Sequence, residues 1–312
     1  MGTKYFNNFI SWFDSSQGSV NTPGTRANNC HITLQDMVRC IPYAIMHLTC
    51  FSVIWVGFSP VACAVAALAY FVRMFTITGF YHRYFSHRAF ETSRILQFIF
   101  AVIGSASVQR GPIWWAAHHR FHHRHSDTDK DPHSPKHTGF FWSHCLWFVS
   151  ATNFSTREGL VRDWKKFPEL NFLDRFDILV PIIYAVSCFF LGKYLEANHP
   201  DLGTTGWQML VWGFFISTVI LYHCTFTINS LAHVWGKRRY PTNDDSRNNF
   251  FLALITLGEG WHNNHHFAPT SVRQGFFWWE IDITYYILLG MKKLGLVWNL
   301  SPIPAKAQLS KK

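Results

Sequence analysis

Three long and mainly apolar runs without a charged side chain dominate this chain of 312 residues. They cover 40–72, 178–192 and 202–236, and the first of them holds 33 residues. As a helix that run would be about 50 Å long, whereas the hydrocarbon core of a bilayer is about 30 Å thick. Charged residues make up only 15% of the chain, against roughly 25% in soluble domains. The runs therefore predict an integral membrane protein rather than a soluble, disordered or coiled-coil chain.

The runs divide into four membrane-spanning helices. Ser59 and Pro60 interrupt the first run and predict a tight hairpin, since proline removes a helical hydrogen bond. The second helix should continue past Arg73, and the fourth should also project from the membrane, because its run exceeds one crossing. The spans are predicted at residues 41–58, 60–80, 176–196 and 206–228. We expect a single all-α domain, 41–312, after an N-terminal segment, 1–40, with a helical cap formed by 81–175 and 229–312.

The distribution of basic residues predicts the orientation of these helices. Of the 28 Lys and Arg residues, 27 lie in 1–40, 73–175 and 237–312, and only Lys193 lies in a turn on the other side. By the positive-inside rule both termini and the cap are cytosolic. The net charge of +10 then reflects topology and contact with anionic lipid. It does not indicate a nucleic-acid partner.

Two further apolar stretches, 95–109 and 276–290, are not predicted to cross the membrane. The first is short, and a crossing there would reverse the side of every later segment and break the charge pattern. The second contains Glu280 and Asp282, which are costly at bilayer depth. We interpret both stretches as interfacial or buried helices.

Histidine is the unusual residue, with 18 copies that gather where spans end on the cytosolic side. HRYFSH contains His82 and His87, and NSLAH pairs Asn229 with His233 four residues later. HHRFHH and HNNHH each repeat an i, i+3, i+4 spacing, which places imidazoles on one side of a helix. Those two strings contribute His119, His122, His123, His262, His265 and His266.

Nine convergent imidazoles exceed the need of one four-coordinate zinc ion. Two metals with about five ligands each explain the number better, and imidazole-rich sites with open positions suit iron. We expect His118, Asp127 and Glu259 to contact the ligands rather than the metals, and Asp129 and Asp131 to join Asp127 in orienting ring N–H groups. The remaining histidines are interpreted as ordinary surface or core residues: His31, His47, His133, His137, His144, His199 and His223.

The strings GFYHRYFSHRAF, HHRFHH…DPHSP, NSLAH and GEGWHNNHHFAP resemble the membrane fatty-acyl desaturases, and in particular their Δ9 acyl-CoA branch. The resemblance covers roughly residues 40–300 and is carried by motifs of high specificity. It implies four spans beneath a cytosolic cap with two irons, and O2-dependent formation of a cis double bond in a saturated acyl chain. The ligands that it implies are His82, His87, His119, His122, His123, His233, His262, His265 and His266, with Asn229 reaching one metal through water.

This chain also departs from the animal acyl-CoA members of that family. They carry Arg-Asp directly before the second histidine box, where this chain has Ala117 and His118. Acyl-CoA is the expected acyl carrier, and acyl lipid and acyl carrier protein are the alternatives. Gln109 matches the family's tunnel glutamine, whereas Phe226 replaces a tunnel tryptophan. Because no His-Pro-Gly-Gly haem signature of cytochrome b5 occurs, we expect a separate electron donor of the ferredoxin or cytochrome b5 type.

Two other functions are compatible with parts of the pattern. Related histidine-box proteins hydroxylate fatty acids, alkanes or sterols, and the boxes by themselves do not distinguish hydroxylation from desaturation. A metal transporter is the alternative from another class, but transporters place their ligands near the bilayer midplane. The short N-terminal segment is more typical of a protein of a bacterial inner membrane than of the endoplasmic reticulum.

Overall fold

Four long apolar helices form the base of the computed structural model, which describes residues 9–18 and 34–309. The predicted all-α membrane fold is thereby confirmed, and most of the predicted segment 1–40, including His31, lies outside the described residues. Span 1 is Asp36–Val56, span 2 is Pro60–Ser86, span 3 is Leu179–Asn198 and span 4 is Gly206–Val234.

Each pair of spans is joined by a turn with a clear local signal. Ser59 precedes Pro60, the first residue of span 2, and its hydroxyl accepts a hydrogen bond from the backbone N–H of Ala62 at 3.3 Å. Span 4 begins with a capping box, in which Thr205 and Gln208 each accept a backbone hydrogen bond from the other. These caps satisfy backbone groups that a helix end would otherwise leave without partners.

Spans 2 and 4 reach farther into the cap than the ranges predicted from sequence. Span 2 ends at Ser86 and span 4 at Val234, so that His82 and His233 lie on continuations of membrane helices. Span 2 changes from α-helix to π-helix over Thr76–Ser86. Arg73 is buried inside span 2, where its guanidinium donates to Ser217 Oγ and Thr218 Oγ1 at 2.6 Å. A charge at this depth is tolerated because hydrogen bonds to span 4 satisfy it.

Short helices and loops of the cap pack over the cytosolic ends of spans 2 and 4. A two-stranded antiparallel ribbon pairs Glu91–Thr92 with Val297–Trp298 and joins distant parts of the cap. The main core lies between the end of span 2 and the cap, around Phe80, Tyr81 and Phe85. The cap α-helices of six residues or more are Arg94–Ser105, Pro112–His125, Pro168–Arg175, Phe250–Ile255, His262–Phe267 and Ile283–Lys293.

The structure corrects the interpretation of 276–290 as one helix. Residues 276–282 are not helical, and the helix begins only at Ile283. The reason is Asp282, whose side chain caps that helix by accepting from the backbone N–H of Tyr285 at 3.0 Å. Glu280 and Asp282 are both fully buried in the cap, where Arg239 and Arg83 respectively pair with them.

Candidate metal centre

The structure brings the nine predicted histidines together in two adjacent groups. Within each group the potential ligand nitrogens all lie within 4.8 Å of one another. We call the two sets site A and site B. Site A contains His82, His87, His119, His123 and His265, and site B contains His122, His233, His262 and His266.

Each i, i+3, i+4 box is divided between the two sites. His119 and His123 belong to site A, whereas His122 belongs to site B. In the same way His262 and His266 belong to site B, and His265 to site A. Residues four apart on a helix differ by about 40° in direction, whereas adjacent residues differ by about 100°. One helix therefore supplies a pair of ligands to one site and a single ligand to its neighbour.

The rings in each site point their Nε2 atoms at one another. His82 Nε2 lies 3.0 Å from His265 Nε2, and His87 Nε2 lies 2.8 Å from His119 Nε2. In site B, His233 Nε2 lies 3.1 Å from His262 Nε2. Such convergence of imidazole nitrogens is the arrangement of a transition-metal site.

In four of these rings a carboxylate lies against Nδ1, the nitrogen opposite Nε2. Nδ1 of His233 lies 2.7 Å from Asp127, Nδ1 of His266 lies 2.8 Å from Asp244, and Nδ1 of His122 lies 3.0 Å from Asp131. Glu259 is in direct contact with Nδ1 of His82. A ring that donates its Nδ1–H to a carboxylate keeps a lone pair on Nε2, which is the atom a metal binds.

Burial keeps most of the ligand rings outside the spans uncharged. It lowers the pKa of His119, His123, His262 and His265 well below the usual range, and neighbouring imidazoles lower it further. Burial lowers the pKa of His266 to about 4, although Asp244 opposes the shift. A neutral imidazole is the form that binds metal. These groups are therefore ready to bind metal near neutral pH.

Unsatisfied ring nitrogens show that the residues fit a bound metal. His266 Nε2 is buried and has no hydrogen-bond partner, whereas its Nδ1 contacts Asp244. A buried polar atom without a partner costs about 1–3 kcal/mol, and a metal ion in site B would remove that cost. A donor set made only of imidazoles, with carboxylates behind them, suits iron or zinc better than calcium or magnesium.

The two asparagines of HNNHH attach the third box to the surrounding loop. Asn263 accepts from the backbone N–H groups of Arg239 and Tyr240 at 2.8 and 2.7 Å. The side-chain Oδ1 of Asn264 accepts from Asn248 at 2.7 Å, and its Nδ2 donates to Glu280 at 2.8 Å. Both asparagines are fully buried, so they fix the direction of the helix that carries the ligands.

A buried charge network positions Glu259. Arg83 is fully buried on span 2 and contacts Glu259 at 3.1 Å and Asp282 at 2.9 Å. Gln274 donates to the other oxygen of Glu259 at 3.0 Å. Two buried partners, Arg83 and Gln274, thus hold Glu259 in contact with His82, and the structure places Glu259 behind the ligands.

Asn229 lies beside the sites rather than within either group. It borders a small cavity of about 40 Å³ together with His82, His119, His122 and His262. That volume has room for about two water-sized molecules. Asn229 thus shares this cavity with histidines of both site A and site B.

A larger cavity of about 480 Å³ adjoins this small cavity. Asn229, His119, Trp115 and Thr225 border both cavities. Gln109 lines the large cavity and donates from its amide to Thr225 Oγ1 at 3.2 Å. Phe226 also lines it. The walls consist mainly of aromatic and aliphatic side chains, so the cavity suits a long apolar ligand.

The expectations for His118 and Asp129 are wrong. His118 hydrogen-bonds to none of the nine histidines; its Nε2 lies 3.2 Å from the carbonyl oxygen of Ser155, because it sits about 100° around the helix from His119. Asp129 is exposed. The sequence analysis missed Asp244, which stands in a polar loop without any motif, and His133, whose ring stacks on His122 at 4.4 Å.

These features define a class: a four-span helical membrane protein with two groups of histidines able to bind metal next to an apolar cavity. Residues 58–296 match the family described as Fatty acid desaturase. The chain belongs to this family.

Three curated relatives have similar sequences. A protein of Arabidopsis thaliana named probable lipid desaturase ADS3.2, chloroplastic, is 37% identical over 245 residues, which cover 78% of this chain and 64% of that protein. Delta-9 acyl-lipid desaturase 1 of the same plant is 36% identical over 277 residues, 88% of this chain and 85% of the relative. Icosanoyl-CoA 5-desaturase of Limnanthes douglasii is 36% identical over 239 residues, 75% of this chain and 63% of the relative. The chain thus spans less than two thirds of the length of two of these relatives.

Proposed function

We propose that this protein uses two irons and O2 to introduce a cis double bond, at C9, into a saturated long-chain acyl group. The observation that carries the proposal is the junction of the apolar cavity with sites A and B, at His119 and Asn229. Overall, one acyl CH2–CH2 unit, O2, two electrons and two protons give one CH=CH unit and two waters. The similarity to Delta-9 acyl-lipid desaturase 1 supports this reaction and the C9 position.

The chain's own residues hold and orient the reacting groups. The nine histidines would bind the two irons, which supply the oxygen activation and C–H cleavage when bound. Asp127, Asp131 and Asp244 fix the tautomers of site B, and Glu259 does the same for His82. Asn229 would hold a water between the small cavity and a metal.

The large cavity would position the acyl chain. Its walls exclude water and present one pair of carbons beside sites A and B, so that binding energy is used for orientation. Gln109 and Phe226 line this cavity and would contact the chain near the reacting carbons. A straight saturated chain must bend to give a cis product, and the wall has to enforce that bend.

For the acyl carrier we propose a membrane glycerolipid rather than coenzyme A. Ala117 and His118 offer no counterpart to the Arg-Asp pair of animal acyl-CoA members. Both Arabidopsis relatives are named as lipid desaturases, whereas the Limnanthes relative is named for an acyl-CoA. Arg39, Arg110 and Asp177 also border the cavity and could contact a polar head group.

We further propose that electrons come from a separate ferredoxin or cytochrome b5 and that the cap faces the cytosol. The basic surface expected from 27 of 28 Lys and Arg residues outside the far-side turn suits an acidic protein donor. Reconstitution with each reduced donor, followed by product analysis, identifies the one that supports turnover.

The first test is expression in a desaturase-deficient host, followed by mass spectrometry of the fatty acids with localisation of the double bond. We expect a new cis-9 monounsaturated acid, and its complete loss with His262→Ala. The matched control is His199→Ala, because His199 is exposed in the far-side turn. A hydroxylated product would transfer the protein to the oxygenases, and a product unaffected by His262→Ala would remove the assignment of site B.

The acyl carrier is tested with membranes that contain the active protein. Labelled stearoyl-CoA, in the presence of an acyltransferase inhibitor, is compared with labelled stearoyl glycerolipid incorporated in the bilayer. We expect the double bond only in the glycerolipid. Desaturation of the acyl-CoA under these conditions would overturn the proposed carrier and leave the reaction itself intact.

A further inference from the structure

Three histidines outside sites A and B form a hydrogen-bonded chain at the membrane-embedded part of the protein. His47 lies on span 1, His223 on span 4 and His144 on the short cap helix Trp142–Leu146. His47 Nε2 is 3.0 Å from His223 Nε2, and His223 Nδ1 is 3.0 Å from His144 Nε2. The sequence analysis took all three for ordinary residues. Their contacts make them one unit, which we call the histidine chain.

Both ends of the histidine chain have uncharged partners. His47 Nδ1 donates to the carbonyl oxygen of Tyr43 at 2.8 Å, and His144 Nδ1 lies 2.9 Å from Ser230 Oγ. Three neutral rings carry three hydrogens, and the four contacts require a fourth. The Ser230 hydroxyl supplies it when its hydrogen points to His144 Nδ1 instead of the Phe226 carbonyl oxygen, which lies 3.0 Å from Ser230 Oγ. In that arrangement all six ring nitrogens are satisfied without an added proton or a metal ion.

Placing polar imidazole rings inside membrane-spanning helices costs free energy. His47 follows Asp36 by 11 residues and His223 precedes Val234 by 11 residues, which corresponds to about 16 Å of helix from the cap-side end in both spans. Ionisable side chains within membrane-spanning helices are rare and usually functional. Leucine would fill the same space without polar atoms. The histidine chain therefore indicates that span 1, span 4 and the cap need directional contacts with one another.

Those contacts lie directly behind one wall of the large cavity. The Phe226 ring borders the cavity and packs edge-on against His144 and His223, with centroids 5.8 and 6.1 Å away. Tyr222 also borders the cavity, stacks on Phe226 at 5.6 Å and lies 6.4 Å from His47. The histidine chain thus joins the three elements that carry this wall.

We propose that the histidine chain positions Phe226 and Tyr222 in the cavity wall and so sets which acyl chain length and which pair of carbons the site accepts. This inference rests on the proposed function. His47, His144 and His223 act through the two aromatic rings and are positioning residues. Discrimination of a single methylene in an apolar pocket amounts to about 10- to 200-fold, so a small movement of this wall changes the product.

Two other uses of three histidines fit the geometry less well. The groups of described residues whose ligand nitrogens lie within 4.8 Å do not include this trio, because His223 offers a different nitrogen to each neighbour. A proton relay towards sites A and B is also disfavoured, because the histidine chain ends at the Tyr43 carbonyl oxygen, which has no proton to give.

The test compares His223→Ala with His223→Gln in the iron-loaded enzyme. A glutamine amide can accept from His144 and donate to His47, but it neither carries a proton nor replaces imidazole as a metal ligand. We expect His223→Ala to keep its iron and to lose about tenfold in the ratio of the main positional isomer to its neighbours. His223→Gln should restore the wild-type ratio, and His199→Ala should not change it.

A second measurement needs no turnover. Metal-free protein is heated with methyl esters of saturated acids of different chain length, and the rise in unfolding temperature is recorded for each. We expect one preferred length for the wild type and His223→Gln, and a flattened dependence for His223→Ala and His144→Ala. If wild-type protein forms no olefin, the proposed function fails. The melting measurement still shows whether the histidine chain shapes the cavity.

A double variant tests whether the effect passes through Phe226. In a Phe226→Ala background, His223→Ala should change the isomer ratio less than it does in the wild type, because coupled residues are not additive. The remaining effect passes through Tyr222. Three results would overturn the inference: an unchanged ratio and length dependence in His223→Ala, independent effects in the double variant, or a glutamine variant as impaired as the alanine variant. The last result would indicate proton or metal chemistry instead.

Discussion

At the scale of single residues, the metal centre is defined by which edge of each imidazole is occupied. Asp127, Asp131, Asp244 and Glu259 each take the Nδ1 edge of one ring, and this leaves the Nε2 edge for the metal. Burial would raise the pKa of the Asp244 carboxyl, but the hydrogen bond to His266 holds it well below the usual range. These acids therefore stay charged and fix the rings over the working pH range.

Removing one of these carboxylates should weaken metal binding without unfolding the protein. We expect Asp244→Asn to lower the affinity for iron by about 10- to 100-fold, the range typical of partners behind a metal ligand. The measurement is iron content after dialysis against graded chelator. The adjacent Asp245→Asn is the control, because the Asp245 side chain pairs with Lys136 at 3.3 Å. Equal losses in both variants would contradict the assigned role.

Metal-free protein should lose stability as the pH falls from about 7 to 5. The pKa values of His119, His123, His262 and His265 are lowered in the folded state, whereas unfolded histidine titrates near pH 6.5. Below about pH 6.5 the unfolded chain therefore binds more protons, and each such histidine removes up to about 1.4 kcal/mol of stability per pH unit. Unfolding temperatures measured in chelator report this loss. A midpoint that is constant or rises towards pH 5 would show that the rings are not buried and neutral.

At the scale of elements, close backbone approach places the third histidine box. A Cβ added to Gly260 would lie 2.1 Å from the backbone nitrogen of Ala253 and 2.5 Å from the carbonyl oxygen of Asn249. Gly260 also accepts a backbone hydrogen bond from Asn249 at 2.8 Å. The helix His262–Phe267 can therefore start at His262 only if residue 260 is a glycine.

A side chain at Gly260 should move that helix. We expect Gly260→Ala to destabilise the protein by about 1–3 kcal/mol, as overpacking does, and to reduce bound iron. Gly290→Ala is the matched control, since a Cβ there meets nothing within 4 Å and alanine stabilises an exposed helix by about 0.5–1 kcal/mol. Thermal unfolding and iron content are measured for both. Similar behaviour of the two variants would refute the packing argument.

At the scale of the whole molecule, the spans form a support that carries the cap on one side. His82 and His233 lie near the ends of spans 2 and 4, so the metal centre joins the membrane part to the cap. Basic residues are concentrated on the same side. Residues of spans 1, 3 and 4 and of the cap line the large cavity, so an apolar ligand held there would lie next to His119 of site A.

The orientation can be measured by labelling single cysteines with a membrane-impermeant thiol reagent in a background without native cysteines. We expect Ala305→Cys to react from the cytosolic side and Asn198→Cys from the opposite side, because Lys193 is the only basic residue assigned there. Both positions are exposed. Reaction of both from the same side would exclude the four-span arrangement, and the reverse pattern would exclude the orientation.

The membrane fold, the turn at Ser59 and Pro60, and the identity of the nine histidines that gather in two groups were all predictable from the residue pattern. Charge-free runs and repeated histidine spacings carry that information locally, because a bilayer and a helix each impose a fixed length or period. The helices of spans 2 and 4 continue beyond residues 80 and 228, as the length of their charge-free runs predicts. Nothing in the sequence marks where a membrane helix leaves the bilayer and continues into the cap.

The division of the histidines between the two sites, and the residues that support them, follow from packing in three dimensions. His119 and His123 share a site that excludes His122, and Asp244 reaches His266 from a loop without a motif. The chain of His47, His223 and His144 joins three segments that are distant in sequence. Such contacts depend on how helices pack against one another, and no local pattern of residues encodes that packing.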